Sequence, residues 1–376
     1  MSPFALQKSS AAVLRGPKDL LIEDRTLYPP PPSSCQVKVV ATGLCGSDLH
    51  YYKFGRNGDF AVRAPLVLGH EAAGVITHVG SEVKHLKSGQ RVAIECGIMC
   101  TKCDYCLKGR YNLCRNMRFC SSAAVYPHQD GTLQKSMNHP AHVLHPIPDN
   151  VSFDMAALAE PLSVLIHASR RAKLAAGQTI LVFGVGAIGL LACAVAKSAG
   201  ASSIVAIDIN QTRLDFAMEN GFASQTFCLP QSEPAKSPEE QLRRAKDLAL
   251  LAKSHFGSQD GFDLVFECTG AELAIQMSIH AAITGGKVML IGMGTRNIML
   301  PLSAAALREV DLQGSFRYAN TYPEALDLLA SGKLGNIEKL ITHRFPLEET
   351  AHAFDLLARG QDDYGNMVLK VMIESS

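Results

Sequence analysis

Thr179-Ile180-Leu181-Val182-Phe183-Gly184-Val185-Gly186-Ala187-Ile188-Gly189 decides the fold of this 376-residue chain. Five apolar or β-branched residues predict a strand, and glycines follow at the G-x-G-x-x-G spacing. Ile188, Leu191, Ala192 and Val195 then fall on one face of a helix. A second strand-like run, residues 203–207, ends in Asp208, 19 residues beyond Gly189. Gly184 permits the tight turn, Gly186 lets a pyrophosphate approach the backbone, and Gly189 lets helix pack on strand, with the helix N-terminus facing the phosphates. A G-x-G-x-x-G standing alone is more often a glycine-rich turn; strand, helix and acid in register argue against that here. Asp208 is suited to accept hydrogen bonds from ribose hydroxyls and to repel the extra phosphate of NADP, so NAD is the expected cofactor, held by Gly184, Gly186, Ile188, Gly189 and Asp208. Arg213 either lies over the adenine or faces solvent, and its closeness to Asp208 leaves room for NADP.

Outward from this stretch the same alternation continues. A helix is expected over residues 213–219, a strand over 263–267, a helix over 271–283 and a strand over 287–292, which together make a doubly wound parallel sheet. Residues 230–257 are rich in Pro, Ser, Glu and Lys and read as a solvated surface helix after Pro238. The first 150 residues or so differ in character. Short apolar runs broken by Pro29 to Pro32, with strand-like runs at 74–79 and 91–94, predict an irregular, mainly β domain. Residues 303–376 carry no phosphate or metal pattern and are expected to complete that first domain. The expected division is 1–158 and 303–376 for a discontinuous catalytic zinc domain and 159–302 for a Rossmann domain, an α/β protein.

Two clusters in the β region suit zinc. Cys45, His70 and Glu71 are three ligand types that zinc accepts, and three protein ligands leave a fourth position open. A His beside a Glu is by itself more often an ordinary hydrogen-bonded pair. Cys100, Cys103, Cys106 and Cys114 form C-x2-C-x2-C-x7-C, four thiolates that close a tetrahedral site and hold a loop without chemistry.

The totals exclude other classes. A formal net charge of +1 supplies no field for nucleic acid or anionic lipid, and no local basic patch stands out. Residues 174–196 carry no charge over 23 positions, long enough for a membrane span, but their glycines suit a strand, a turn and a helix better. Eleven cysteines, no signal-like start over residues 1–10 and no targeting signal at residues 373–376 point to a reducing compartment, expected to be the cytoplasm.

With these parts together, the chain resembles the zinc-dependent medium-chain dehydrogenases over essentially its whole length, and within them the sorbitol and xylitol (polyol) dehydrogenases. Gly69-His70-Glu71-Ala72-Ala73-Gly74 with Gly80 is similar to the family's zinc signature. Gly43-Leu44-Cys45-Gly46-Ser47-Asp48-Leu49-His50-Tyr51, Gly109-Arg110-Tyr111-Asn112-Leu113, Phe119-Cys120, Glu160-Pro161-Leu162-Ser163-Val164 and Phe316-Arg317-Tyr318 carry the narrower likeness. The resemblance implies a GroES-like catalytic domain and a homotetramer. It implies catalytic zinc on Cys45, His70 and a carboxylate, either Glu71 or Glu160, the other acting through a water. Tyr51, Phe119, Glu160, Arg317 and Tyr318 would shape the polyol site. Ser47 and His50 would carry the released proton outward. Two departures stand out: Ser121-Ser122-Ala123-Ala124-Val125-Tyr126-Pro127 replaces the family's Ala-Thr-Pro-Pro, and Glu95-Cys96-Gly97 replaces Glu-Pro-Gly.

The expected reaction is reversible oxidation of a secondary alcohol of a polyol to the ketose, with hydride passing to NAD and zinc easing loss of the hydroxyl proton. Within the same family the alternatives are L-arabinitol 4-dehydrogenase and a threonine-type dehydrogenase. The non-enzymatic alternative is an NAD- and zinc-binding redox sensor.

Overall fold

The computed structural model describes residues 7–231, 233–294 and 297–375. Residues 1–6 and Ser376, read above for targeting signals, and Ser232 of the charged segment lie outside that set. The chain divides into two compact units. One comprises Met1–Ser163, Ala319–Ser331 and Glu338–Ser376, the other Val164–Tyr318 and Gly332–Ile337.

In the second unit six parallel strands lie in the order Gln225–Cys228, Ser203–Asp208, Thr179–Phe183, Phe262–Glu267, Ala282–Leu290 and Asp311–Gly314. Numbered by sequence this is 3-2-1-4-5-6, the Rossmann order, with its switch point between Thr179–Phe183 and Phe262–Glu267. Leu181, Phe183, Val205, Ile207 and Val265 fill its core against Ala245, Ala249 and Met277 of the covering helices. The uncharged stretch that read as long enough to span a bilayer is split between the strand Thr179–Phe183 and the helix Ala187–Ser198. Among the described residues no helix is long and apolar enough to cross a membrane. The strand Asp311–Gly314 extends this sheet beside Ala282–Leu290, so residues 303–318 stand with the parallel sheet and not with the first unit, where the sequence reading had put them.

The first unit is built on a mainly antiparallel sheet. Its strands run Leu144–Pro146, Arg91–Ile94, Glu71–Val79, Ser34–Gly43, Lys370–Glu374 and Ile341–Pro346, and Ser136–Pro140 also pairs with Ser34–Gly43. A three-stranded sheet of Asp19–Leu27, Gln7–Gly16 and Leu66–Val67 packs its Ala11 to Leu14 face into a core with Leu44, Tyr51, Tyr52, Phe354 and Ile373. Register matters most at one point. Gly43 pairs with Glu71 on one side and with Met372 on the other, so three chain segments distant in sequence end side by side.

Candidate metal centres and dinucleotide site

After Gly43 the amide of Leu44 donates to Val371 O at 2.9 Å, and Cys45 then caps the helix Gly46–Phe54. Just before the neighbouring strand Glu71–Val79, Gly69 sits at φ +92°, where a Cβ would run into Thr132 and Leu133, and this turn presents His70 and Glu71. Cys45 Sγ, a ring nitrogen of His70 and a carboxylate oxygen of Glu71 all lie within 4.8 Å of one another. Ser47 Oγ stands beside them, 3.4 Å from Cys45 Sγ and 3.3 Å from His70 Nε2.

Two residues that the sequence reading did not single out support this cluster. Asp48, fully buried, accepts from the Gly69 amide at 3.3 Å and lies 3.2 Å from His70 Nδ1. The Nδ1 proton therefore points to Asp48, leaving the Nε2 lone pair for a metal. Without a metal, burial disfavours the imidazolium, but the charges and hydrogen bonds of Asp48 and Cys45 outweigh it and hold His70 well above its usual pKa, so a metal at Nε2 would take the place of that proton. Lys370, 4% exposed at its side chain, donates to both Glu71 oxygens at 2.8 and 2.7 Å and to Leu44 O at 3.1 Å. Burial lowers its pKa, and the Glu71, Cys45 and Glu160 charges more than restore it. A lysine inside the apolar run 367–373 was the available signal, since a cation buried in a strand needs a partner.

Of the other expected residues, Glu160 is buried in the first turn of the helix Ala159–Ala172 and is not part of the three-residue cluster. Phe119 is buried with its ring centroid 5.6 Å from that of His70. Tyr51 is buried, and its hydroxyl accepts the Ala123 amide at 3.1 Å, tying the helix to the substituted segment. His50 is half-buried, edge-on to Phe54. Arg317 and Tyr318 belong to the second unit; Arg317 lies over Phe316, and Tyr318 is buried.

The four-cysteine cluster offers sulfur alone. Sulfur separations are 4.0 Å for Cys100–Cys106, 3.6 Å for Cys103–Cys106 and 3.9 Å for Cys103–Cys114. Four thiolates at zinc's bond length of about 2.3 Å stand about 3.8 Å apart in a tetrahedron, so the donor set fits zinc, and the sulfurs are too far apart for disulfides. The amides of Lys102 and Cys103 lower Cys100 to about 6, and those of Cys106 and Arg115 lower Cys103, while desolvation raises Cys106 to about 12. A dication supplies the charge that the unaided loop lacks for holding four thiolates together.

In the second unit Gly184 has φ +84°, and a Cβ on Gly189 would run into the Gly184 carbonyl. Asp208 receives the Val185 amide at 2.8 Å and the Asn210 amide at 2.9 Å, so it braces the turn as well as facing it. Arg213 gives its amide to Asn210 Oδ1, the cap of the helix Gln211–Glu219.

Comparison with known proteins agrees with this construction. Residues 31–149 match the alcohol dehydrogenase GroES-like domain and residues 187–331 the zinc-binding dehydrogenase family. The sorbitol dehydrogenase of Rattus norvegicus is 42% identical, with 100% of this chain and 98% of that one covered. Among solved structures, L-idonate 5-dehydrogenase of Escherichia coli aligns with a TM-score of 0.86 at 28% identity over 99% of both chains. A putative zinc-binding dehydrogenase of Sinorhizobium meliloti bound to NADP aligns at 0.83 with 27% identity, covering 98% of this chain and 100% of that one. The chain belongs to the zinc-binding medium-chain alcohol dehydrogenases. Within that family its full-length similarity is to sorbitol dehydrogenases.

Proposed function

We propose that this chain oxidises a polyol of the sorbitol or xylitol type to its ketose, reversibly, with NAD as hydride acceptor. The observation that carries the reading is the Cys45, His70 and Glu71 cluster, one ligand short of a closed tetrahedron. Glu71 is the carboxylate ligand in this reading, since its oxygen falls within the cluster; Glu160 orients a water from outside it. When bound, zinc supplies the Lewis acidity that eases loss of a hydroxyl proton, and NAD takes up the hydride.

The chain's own residues do the rest. Ser47 Oγ is within hydrogen-bond reach of two ligand atoms and takes the substrate proton, passing it to His50 or solvent. Phe119 walls the centre, and Tyr51 acts on the pocket through the segment it anchors at Ala123. Arg317 and Tyr318 are assigned to shaping the polyol site on the family resemblance alone. On the nucleotide side, Asp208 favours NAD over NADP by charge. The eleven free cysteines suit a reducing cytoplasm, and the family resemblance carries a homotetramer with it, which sedimentation tests.

The deciding experiment combines a Cys45→Ser variant with a substrate panel. The parent is expected to hold two zinc ions and reduce NAD with sorbitol, xylitol or arabinitol but not with threonine. The variant is expected to lose one zinc and all turnover while still binding NAD. Full turnover without that zinc, or turnover of threonine alone, refutes the assignment.

A further inference from the structure

We propose that Ser121, which stands in the segment departing from the polyol dehydrogenase pattern, is a positioning residue of the catalytic metal centre. The inference rests on reading Cys45, His70 and Glu71 as zinc ligands. Ser121 is buried, and its hydroxyl donates to Asp48 Oδ1, the atom that also accepts from Gly69 and faces His70 Nδ1. His70 and Ser121 both direct a side-chain donor at Asp48.

The backbone is shaped for this contact. Ser121 has φ +59°, a left-handed conformation that a residue with a Cβ adopts at some energetic expense. Its flanks are pinned. The Cys120 amide donates to Cys96 O at 3.0 Å, and Ser122 pairs with Gln129 across the mouth of the loop. With both sides held, the chain turns Ser121 inward, and its hydroxyl proton reaches a carboxylate that is fully buried. An alanine in this place offers no such proton. Here the hydroxyl fixes the rotation of the Asp48 carboxylate, Asp48 fixes the ring of His70, and Nε2 is thereby aimed at the metal. Groups that orient a metal ligand, as Asp48 orients His70, typically change metal affinity by 10- to 100-fold when lost, and Ser121 acts one hydrogen bond further out.

The test is zinc competition against a chelator on the full chain, comparing the parent with Ser121→Ala and Ser121→Gly. The alanine keeps the strained backbone and lacks the hydroxyl; the glycine relieves the strain and also lacks it. Both are expected to bind the catalytic zinc several-fold more weakly than the parent, up to about tenfold, with the four-cysteine zinc unchanged as internal reference. Cobalt substituted at the Cys45 site is expected to show shifted visible bands in both variants. Two zinc ions held with parental affinity in both variants, or weakening confined to the glycine form, overturn the role of Ser121 alone. A parent that binds only the four-cysteine zinc overturns the reading of Cys45, His70 and Glu71 together with it.

Discussion

Replacing Lys370 by methionine tests how the buried carboxylate is shared. Both oxygens of Glu71 bond Lys370 Nζ, and the two side chains are 1% and 4% exposed, so this is a desolvated ion pair. Removing one partner of such a pair typically destabilises by about 3–5 kcal/mol, because the other charge stays buried. At 3 kcal/mol the melting temperature of a unit of this size falls by about 6–12 °C. That loss belongs to protein stripped of its catalytic zinc. With zinc in place Glu71 keeps a positive neighbour, and the loss is expected to be smaller. A difference of about 3 kcal/mol between the two forms requires, by linkage, that Lys370→Met bind zinc roughly 100-fold more tightly than the parent. Thermal unfolding with and without catalytic zinc, beside chelator competition, measures both sides of that cycle. An equal fall in melting temperature in the two forms, with zinc affinity unaltered, refutes the idea that lysine and metal contend for one carboxylate.

Other perturbations separate the remaining parts. Cys103→Ser is expected to lower the melting temperature sharply while zinc at the Cys45 site survives; an unchanged melting curve with lost rate contradicts a purely structural lobe. Asp208→Ser is expected to weaken NAD binding about tenfold and to relax the exclusion of NADP, both read by titration, because it removes a charged acceptor and loosens the Val185 amide. His139 is fully buried, bonds Glu95 O at 2.9 Å, and is depressed by desolvation to about 4. Its folded value lies below its unfolded one of about 6.5, so the stability is present above pH 6.5 and is lost as pH falls toward 4, by about 3 kcal/mol. His139→Gln is expected to flatten that acid limb in denaturant unfolding, and an unaltered limb counts against the assignment.

Much of this was legible because it is local. The fingerprint places strand, turn, helix and acid within 30 residues, 179–208, and the cysteine lobe lies within 15, 100–114. Spacing alone reports such sites. Strand membership over long gaps is not local. The strip 303–318 carries no phosphate or metal pattern, and its place in the parallel sheet follows from the pairing of Asp311–Gly314 with Ala282–Leu290. Asp48 and Ser121 were visible as letters within quoted motifs, yet their shared hydrogen bond joins positions 73 residues apart.

The amino-acid sequence by itself therefore determined the nucleotide fold, the closed zinc lobe and the ligand types of the open one, since each is written in neighbouring residues. Tertiary structure alone decided that Glu71 joins Cys45 and His70 within one cluster, and that Lys370, 299 residues away, neutralises it. The physical reason is sheet register: Gly43 pairs with Glu71 on one side and with Met372 on the other, and only the assembled sheet brings a buried acid and a buried base to the same point.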